Sequence, residues 1–431
     1  MRITNRMTIL MAILALAMMS CKSESKQDEE QKRQIVVSAQ MHKSAKRGVS
    51  FSFGIIEDIQ LLSPIISWTY NWGPDISGSN AKTICAWMEM DNVEFCPMAW
   101  NGNYNKSRIA AWVNDHRTTT RYLLAFNEPN LTDQARMTPS EAAALWPELK
   151  HFADSLGLKI VSPAMNYGTL SGYHDPIQWL DEFFAQPGVS LDDVSAIAIH
   201  CYMGAPSAVK GYIQRFEKYG KPIWMTEFCG WDDVISSAEA QKNYMCDVIN
   251  YMEMSPLVDR YAWFIPRAGE ATTAYPYKQL LTKTSPYQLT ELGEIFGALS
   301  SFDKTVWFDV SKLVPANLYA SLANSTIYIR PTTDTEGQWM LTSFKEEQRV
   351  DWQVAATQPM QSVQLRYATA ITSKGVMYID GEPYAKLDFV RTGSNNDWQT
   401  LTCDVPLTAG YHTVSIEMIS GSICFNGFYW K

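Results

Sequence analysis

The chain has 431 residues, of which 46% are hydrophobic and 19% are charged. This composition is typical of a globular protein and excludes a disordered, collagen-like or low-complexity chain, and the length fits one large domain followed by a smaller one. The net charge of −9 arises from 36 Lys and Arg against 45 Asp and Glu, without a basic block, which argues against nucleic acid as the partner.

The first 20 residues are predicted to be a signal peptide. Arg2 and Arg6 precede an apolar run over residues 7–19 that is too short to span a bilayer, and no other apolar run is long enough to do so. Met18-Met19-Ser20-Cys21 resembles the lipobox of bacterial lipoproteins, in which the cysteine is acylated after cleavage. The resemblance implies lipidation at Cys21, a polar tether over residues 21–45, and an outer-membrane lipoprotein at the cell surface or on the periplasmic face. An ordinary secretory peptide with a chance cysteine is the alternative.

The remaining seven cysteines are odd in number, and none has CxxC spacing or belongs to a Cys/His cluster with zinc spacing. We therefore expect buried thiols rather than a disulfide framework, and neither a metal nor a cofactor.

Residues 46–303 alternate short β-prone runs with helical patterns. Start and stop signals mark several helices, such as the capping box Thr138-Pro139-Ser140-Glu141 with Gly157 at the other end, the pair Asp175-Pro176, and Gly220 after a helix over residues 207–219. Eight strands alternating with helices over about 255 residues predict an α/β fold, a (β/α)₈ TIM barrel. An open doubly wound sheet is the alternative, although no GxGxxG or P-loop sequence marks a phosphate site. The strand-like runs are residues 48–54, 65–70, 93–100, 122–127, 159–163, 196–202, 222–228 and 260–266.

Residues 304–431 have a different pattern. Helical spacing disappears, and short alternating runs over residues 326–330, 363–367, 376–379 and 413–418 are separated by turn pairs such as Asp380-Gly381. This pattern predicts a C-terminal antiparallel β-sandwich of the jelly-roll kind.

Two glutamates fall at the ends of predicted strands. The fourth run ends in Asn127-Glu128-Pro129, and the seventh ends in Thr226-Glu227-Phe228. The active sites of such barrels lie at the C-terminal ends of the strands, so the two carboxylates should face each other across the mouth. Hydrolysis of a glycosidic bond needs such a pair, one protonated to donate to the leaving oxygen and one ionised to attack the anomeric carbon. Either residue alone would more simply be a solvated charge or part of a salt bridge.

The ordered motifs of the barrel resemble clan A glycoside hydrolases and, more narrowly, glycoside hydrolase family 128, whose characterised members are β-1,3-glucanases. The motifs are Ser67-Trp68-Thr69-Tyr70-Asn71-Trp72-Gly73, Val93-Glu94-Phe95-Cys96-Pro97-Met98-Ala99-Trp100, Asn127-Glu128-Pro129-Asn130, Val161-Ser162-Pro163-Ala164, Ile199-His200-Cys201-Tyr202, Trp224-Met225-Thr226-Glu227-Phe228 and Arg260-Tyr261-Ala262-Trp263-Phe264.

The resemblance implies that Glu128 is the acid/base and Glu227 the nucleophile of a retaining enzyme. It also implies that Asn127 binds the sugar 2-hydroxyl, and we expect the Tyr202 hydroxyl to orient Glu227 unless this tyrosine belongs to the core. An apolar setting should keep Glu128 protonated, and the carboxyl groups should lie about 5 to 5.5 Å apart, the retaining spacing.

The chain has 15 Trp, 21 Tyr and 17 Phe, more rings than a core of this size normally uses. Four tryptophans fall at predicted strand ends, where they would offer platforms to glucose rings or else plug the core: Trp72, Trp100, Trp231 and Trp263. Trp263 matches the family's aromatic residue at the eighth strand. His200 would bind sugar in the cleft or be an interior histidine bonded to backbone.

The C-terminal stretch resembles family 6 carbohydrate-binding modules, on Leu365-Arg366-Tyr367-Ala368, Arg391-Thr392-Gly393 with Trp398, and Cys424-Phe425-Asn426-Gly427. The resemblance implies that Trp398 and Asn426 contact sugar. A sandwich that only supports the barrel is the alternative.

Taken together, these patterns and resemblances predict a monomeric, lipid-anchored, retaining endo-β-1,3-glucanase that acts on a polysaccharide such as laminarin or curdlan. The same machinery acting on another β-linked glycan, or a non-catalytic surface glycan-binding protein, are the alternatives.

Overall fold

The computed structural model describes residues 34–36, 41–267, 276–323 and 326–431. The predicted signal peptide, Cys21 and most of the predicted tether lie outside the described residues. The first described strand, β1 (Gln34–Val36), falls within the predicted tether and pairs with the C-terminal domain.

Among the described residues between 47 and 298, eight short strands alternate with eight α-helices. The strands are β2 (Arg47–Ser50), β3 (Trp68–Tyr70), β4 (Glu94–Phe95), β5 (Tyr122–Leu124), β6 (Lys159–Val161), β7 (Val194–Cys201), β8 (Ile223–Phe228) and β9 (Val258–Trp263). The helices are α1 (Ile56–Leu62), α2 (Ala81–Met90), α3 (Lys106–Asp115), α4 (Pro139–Leu156), α5 (Pro176–Phe184), α6 (Pro206–Arg215), α7 (Ala238–Met254) and α8 (Glu291–Ala298).

The eight strands form one parallel sheet in the order β4-β3-β2-β9-β8-β7-β6-β5. A parallel bridge between Met98, beyond β4, and Leu124 of β5 joins the two ends of this order. The predicted (β/α)₈ barrel is therefore confirmed, and the carboxyl ends of all eight strands open on one face.

The predicted helix signals act as expected. Thr138 and Glu141 form both bonds of the capping box that starts α4, and Gly157 ends the helix with φ of 72°. The Asp175 side chain accepts from the Ile177 amide at the start of α5. These caps satisfy amides that have no partner within the helix.

The inside of the barrel is filled with side chains rather than open. Inward-facing residues of successive strands form a small apolar cluster that includes Trp68, Tyr70, Met98, Trp224 and Ala262. A larger cluster fills the space between the strands and the helices and continues into the second domain. Because the interior is packed, a substrate must bind at the mouth.

The C-terminal domain consists of two packed sheets. Besides β1, its strands are β10 (Val306–Asp309), β11 (Val314–Pro315), β12 (Ser321–Leu322), β13 (Tyr328–Pro331), β14 (Trp339–Lys345), β15 (Arg349–Ala356), β16 (Val363–Ala368), β17 (Ser373–Ile379), β18 (Glu382–Phe389), β19 (Gln399–Cys403), β20 (Gly410–Ser420) and β21 (Ser422–Trp430). One sheet has the order β1-β10-β15-β20-β17-β18 with β12 beside β15, and the other has the order β13-β14-β21-β16-β19 with β11 beside β21.

This domain is the predicted sandwich, with one departure from antiparallel pairing. β10 pairs in parallel with both β1 and β15, whereas the other pairs are antiparallel. Asp380 and Gly381 have φ of 53° and 90°, as a tight turn between β17 and β18 requires.

The sandwich is bonded to helix α7 of the barrel. Asn250 donates to the Ile327 carbonyl (3.2 Å) and accepts from the Tyr319 hydroxyl (2.8 Å), and Arg330 donates to the Glu239 carboxylate (2.5 Å). Since Asn250 is fully buried, the interface excludes water at this point.

The seven cysteines of the described residues are free thiols. Five are buried as predicted, whereas Cys85 and Cys403 are half-buried. In the part of the chain that the structure describes, we find no helix with the length and apolar character needed to span a membrane.

Candidate active site

Glu128 and Glu227 meet at the mouth of the barrel. Glu227 is the fifth residue of β8, and Glu128 follows β5 in a segment that bonds to the extension of β6. One oxygen of each carboxylate and one ring nitrogen of His200 lie within 4.8 Å of one another, and the two glutamates are only 6% and 4% exposed. Two buried carboxylates thus meet at one face of the mouth, beside one histidine.

Strained backbone accompanies this geometry. Glu128 has φ of 44° and Trp72 has φ of 61°, in the left-handed region that side chains other than glycine rarely adopt. Such strain costs about 1 to 3 kcal/mol per residue and persists where the surrounding structure holds it, most often at functional sites.

Three donors hold the Glu227 carboxylate. The Tyr70 hydroxyl (2.8 Å) and the Trp72 indole N–H (2.7 Å) donate to Oε1, and the Tyr202 hydroxyl donates to Oε2. Burial and the nearby Glu227 carboxylate raise the pKa of both tyrosines well above the usual value, so both hydroxyls keep their protons. The expected bond from Tyr202 to Glu227 is present.

Glu128 is held by two donors on a single oxygen. The His200 Nδ1 atom lies 2.8 Å from Oε1, and the Asn166 side-chain amide donates to the same oxygen at 3.0 Å. Among the described residues, none donates to Oε2. The second oxygen is therefore the one available to a substrate.

The expectation that an apolar setting keeps Glu128 neutral is wrong. Burial by itself would raise the pKa of Glu128, but the charge of His200 and the bonds from His200 and Asn166 outweigh it and lower that pKa. Burial would lower the pKa of His200, yet attraction to Glu227 and Glu128 raises it. Both directions favour a charged His200 beside an ionised Glu128.

His200 therefore lies between the two glutamates rather than against sugar or backbone. It is 0% exposed, and Nδ1 is also 3.6 Å from the Glu227 Oε2 atom. Glu128, His200 and Glu227 are also the residues that have metal-ligand spacing within the described ranges. Their nearest atoms are already hydrogen bonded to one another or to tyrosine and tryptophan donors, an arrangement suited to proton transfer.

Asn127 lies beside Glu128 with one side of its amide in use. Its Nδ2 atom donates to the Gln134 Oε1 atom at 3.2 Å, whereas the buried Oδ1 atom has no partner among the described residues. Buried polar atoms normally have a partner, so Oδ1 is suited to accept from a sugar hydroxyl.

An aromatic wall stands on the Glu227 side of the mouth and consists of Trp72, Tyr202, Phe264 and Trp231. Trp231 stacks on Phe264 with ring centroids 5.8 Å apart, and Tyr202 meets both rings edge-on. All four residues are partly exposed. They are placed to contact the apolar faces of a sugar.

Residues 54–296, more than half of the chain, match the protein family described as the glycosyl hydrolase catalytic core. Two solved structures of glycoside hydrolase family 128 (subgroup II) endo-β-1,3-glucanases are similar. The enzyme from Pseudomonas viridiflava is 38% identical, with a TM-score of 0.53, and the match covers 59% of this chain and 97% of that one. The enzyme from Sorangium cellulosum is 32% identical, with a TM-score of 0.50 and coverage of 58% and 97%. The chain belongs to glycoside hydrolase family 128.

A curated relative is the alkali-sensitive linkage protein 1 of Schizosaccharomyces pombe, which is 28% identical over 240 residues. The match covers 54% of this chain but only 40% of the relative's length. Residues 323–431 match a carbohydrate binding module of family 35. This confirms a carbohydrate-binding module at the C-terminus, while the assignment to family 6 stays a prediction.

The prediction of Trp263 as a platform is wrong. Its ring is 0% exposed, packs edge-on against Phe228 and donates its indole N–H to the Lys278 carbonyl (2.8 Å). It faces the helices because it is the residue before Phe264, and successive residues of a strand point to opposite faces. Phe264 occupies the cleft position instead.

The other predicted platforms differ in their surroundings. Trp72 forms part of the wall, but its N–H is bonded to Glu227. Trp100 is partly exposed, packs against the interior cluster, and its carbonyl accepts from the Asn127 amide (2.9 Å). Trp100 and Trp231 remain predicted sugar contacts.

The two predicted sugar residues of the sandwich also differ from each other. Trp398 is partly exposed and donates to the Thr333 hydroxyl at 3.0 Å. Asn426 is fully buried and donates to Asp334 (2.9 Å), which also accepts two bonds from Arg366, at 2.6 and 2.7 Å. A direct sugar contact at Asn426 is therefore limited to its Oδ1 atom, which has no described partner.

Sequence reasoning missed Tyr70, Asn166, Phe264 and Lys278. Tyr70 and Phe264 carried a usable signal, because each follows the inward alternation of a strand toward the mouth. Asn166 lies in the extension of β6, two residues beyond Ala164, which is paired with Asn127. Lys278 had no local signal, since it lies in a short 3₁₀ turn (Pro276–Lys278) outside the barrel strands.

Proposed function

We propose that the protein is a retaining endo-β-1,3-glucanase with Glu227 as the nucleophile and Glu128 as the acid/base. The observation that carries the proposal is the close approach of two buried carboxylates, one held by three donors and one paired with a histidine. The substrate class is supported by the two similar crystal structures, both described as endo-β-1,3-glucanases.

In the first step, a Glu227 oxygen attacks the anomeric carbon while the bond to the leaving oxygen breaks. The leaving oxygen takes a proton from Glu128, so Glu128 must be protonated when the bond breaks. The pKa directions favour that proton on His200 in the resting pair. It has to reach the Glu128 Oε2 atom, which is available to the substrate, because Oε1 lies 2.8 Å from the His200 Nδ1 atom and already accepts from Asn166. The products are a glycosyl ester on Glu227 and the released fragment that carries the original reducing end of the chain.

In the second step, water attacks the anomeric carbon of the ester. Glu128, now ionised, accepts one proton of the water, and the bond between the anomeric carbon and Glu227 breaks. Glu227 is released as a carboxylate, and its three donors return it to the starting position. The anomeric configuration is retained because two inversions occur in sequence.

Sugar binding in this proposal depends on stacking and hydrogen bonds rather than on ion pairs. The aromatic wall supplies apolar faces, and the unpartnered Asn127 Oδ1 atom accepts from the 2-hydroxyl, a bond that strengthens as positive charge develops on the sugar. These groups suit a neutral glucan.

The test is to incubate laminarin, curdlan, mixed-linkage glucan, mannan and xylan with wild type, Glu227→Gln and Glu128→Gln. Glu148→Gln, on the exposed face of α4, is the matched control. We expect a series of oligosaccharides from the β-1,3-glucans, a loss of at least about 1,000-fold in Glu227→Gln, and full activity in the control. Early NMR spectra should show the β-anomer of the new reducing end.

Three other results would each favour an alternative mechanism, substrate or function. The α-anomer as first product would refute the retaining mechanism. Cleavage of a β-1,4 polymer alone would refute the substrate but leave the two glutamates in their roles. No product from any glycan, with binding intact, would leave a non-catalytic glycan-binding protein.

We also propose that the enzyme is a monomer anchored in the outer membrane by acyl chains on Cys21, and that the sandwich holds it on its glucan. The lipobox-like sequence and the match to carbohydrate-binding modules support this. Labelled fatty acid should enter wild type but not Cys21→Ala, and the unacylated variant should leave the membrane fraction. Sedimentation of the released protein should give the monomer mass.

A further inference from the structure

We propose that Lys278 is a positioning residue that fixes the aromatic wall beside the nucleophile through a buried cation–π contact with Trp231. The proposal rests on the proposed function for its kinetic consequences but not for the contact itself. Nothing in the catalytic steps uses Lys278, and its place in the structure is unusual for a lysine.

Lysine ammonium groups are almost never fully buried unless they are paired. Lys278 is 1% exposed, and its Nζ atom has no hydrogen-bond partner among the described residues. The atom lies 3.0 Å from the centre of the Trp231 ring and 5.1 Å from that of Phe264. Among the described residues, these two rings are therefore the groups in direct contact with the buried charge that compensate it.

The contact is connected to the nucleophile through the wall. Trp231 stacks on Phe264, its backbone amide donates to the Tyr202 carbonyl (3.0 Å), and the Tyr202 hydroxyl donates to Glu227. The backbone of Lys278 is fixed because its carbonyl accepts a hydrogen bond from the indole N–H of the buried Trp263. A buried tryptophan thus positions the lysine, and the lysine positions the tryptophan that is partly exposed to substrate.

The protonation of Lys278 gives the contact a pH dependence. Burial lowers the pKa of Lys278 to about 8, and attraction to the Glu227 carboxylate opposes this only in part. The Cys229 thiol, the other titratable group that faces Lys278 among the described residues, is itself buried, which raises its own pKa and keeps it neutral at this pH. Below this pH the ammonium attracts the indole face, and above it the neutral amine loses that attraction. Arginine at this position would stay charged.

Lys278→Met keeps a flexible chain of similar length and removes the charge, whereas Lys278→Arg keeps the charge. We expect Lys278→Met to raise KM for laminarihexaose about tenfold with kcat within about threefold, and Lys278→Arg to remain within about threefold of wild type in both. In wild type, KM should rise above about pH 8 because the neutral amine no longer attracts the Trp231 ring. This rise should be absent in Lys278→Arg. Lys159→Met is the control, since Lys159 lies over the Tyr122 ring (5.9 Å) at the opposite end of the barrel.

Trp231→Ala distinguishes positioning from general packing. If Lys278 acts through Trp231, adding Lys278→Met to Trp231→Ala should change KM less than twofold. A further tenfold rise in the double variant, or equal losses in Lys278→Met and Lys278→Arg, would overturn the proposal.

A readout without substrate separates this proposal from the proposed function. In protein labelled with ¹⁵N-tryptophan, the indole signal assigned by Trp231→Phe should shift with a midpoint near pH 8 and should not shift in Lys278→Met. A signal that does not move between pH 6 and 10 in wild type would refute the contact even if the enzyme cleaves β-1,3-glucan. A moving signal in a protein that cleaves none of the glycans would support the contact and refute only the function.

Discussion

Replacing His200 with glutamine should change how the stability of the barrel depends on pH. In wild type, His200 and Glu128 form a buried pair in which the pKa of the histidine is raised and that of the glutamate is lowered. Glutamine retains a donor but cannot carry the charge. The two proteins should therefore differ most where the pair is ionised in wild type.

The sign follows from the protons bound by each state. The ordinary pKa values are about 4.3 for glutamate and about 6.5 for histidine. The lowered pKa of Glu128 stabilises the fold above about pH 4.3, and this contribution disappears as pH falls through the native value. The raised pKa of His200 stabilises the fold below about pH 6.5, and this contribution is lost as pH rises through the native value. Between the two, the contribution of the pair in wild type is complete and constant.

In His200→Gln, Glu128 is buried without its charged partner, so burial keeps it protonated in the folded state. The folded variant then binds one proton more than the unfolded chain above about pH 4.3, and its stability falls by about 1.4 kcal/mol per pH unit. Over the roughly 2.2 units up to pH 6.5, the difference between wild type and variant should grow by as much as about 3 kcal/mol.

Denaturant melts at pH 4, 5, 6 and 7, followed by tryptophan fluorescence, measure this difference. His151→Gln, at an exposed position of α4, should run parallel to wild type at every pH. If the difference between wild type and His200→Gln is the same at all four pH values, Glu128 and His200 are not an ionised pair, and the proton assignment in the mechanism is wrong.

Three other substitutions test separate parts of the structure. Trp263→Ala should lower the free energy of unfolding by about 3 to 5 kcal/mol in denaturant melts, because the ring fills the core; an unchanged free energy of unfolding would contradict this placement of the ring. Tyr202→Phe should lower kcat about 10- to 150-fold, since a hydrogen bond to a charged group contributes about 1.5 to 3 kcal/mol; an unchanged kcat would contradict its role at Glu227. Trp398→Ala in the Glu227→Gln background should weaken retention in curdlan affinity gels, while Tyr384→Ala, on the exposed edge strand β18, should not.

The fold was predictable because each of its signals is local. A capping box, a proline at the first helical position and a glycine with positive φ each act within one turn, and the structure shows them acting at α4 and α5. The parallel pairing of β10 with β1 and β15 was not predictable in this way. It joins segments about 270 and 46 residues apart, at Gln34 with Val306 and Phe308 with Val354, and nothing near β10 specifies these partners.

At the site, the alternation of inward- and outward-facing positions along each strand explains which site residues were predicted correctly and which were not. Glu128 and Glu227 were found from chain position alone, because both lie near strand ends that share one face of the barrel. A ring at a strand end needs more, since a shift of one residue turns it from the cleft to the helices.

The pairing register of the barrel strands shows which residues point inward. Gly48 pairs with Ala262, and Val49 with Trp263. Ala262 lies in the interior cluster, so Trp263 points outward and Phe264 inward. The same alternation places His200 and Tyr202 on the inner face and Cys201 between them on the outer one. This alternation therefore explains why His200 and Tyr202 reach the glutamates. It also explains why Trp263, which the family resemblance indicated as a sugar platform, is a core residue next to Lys278.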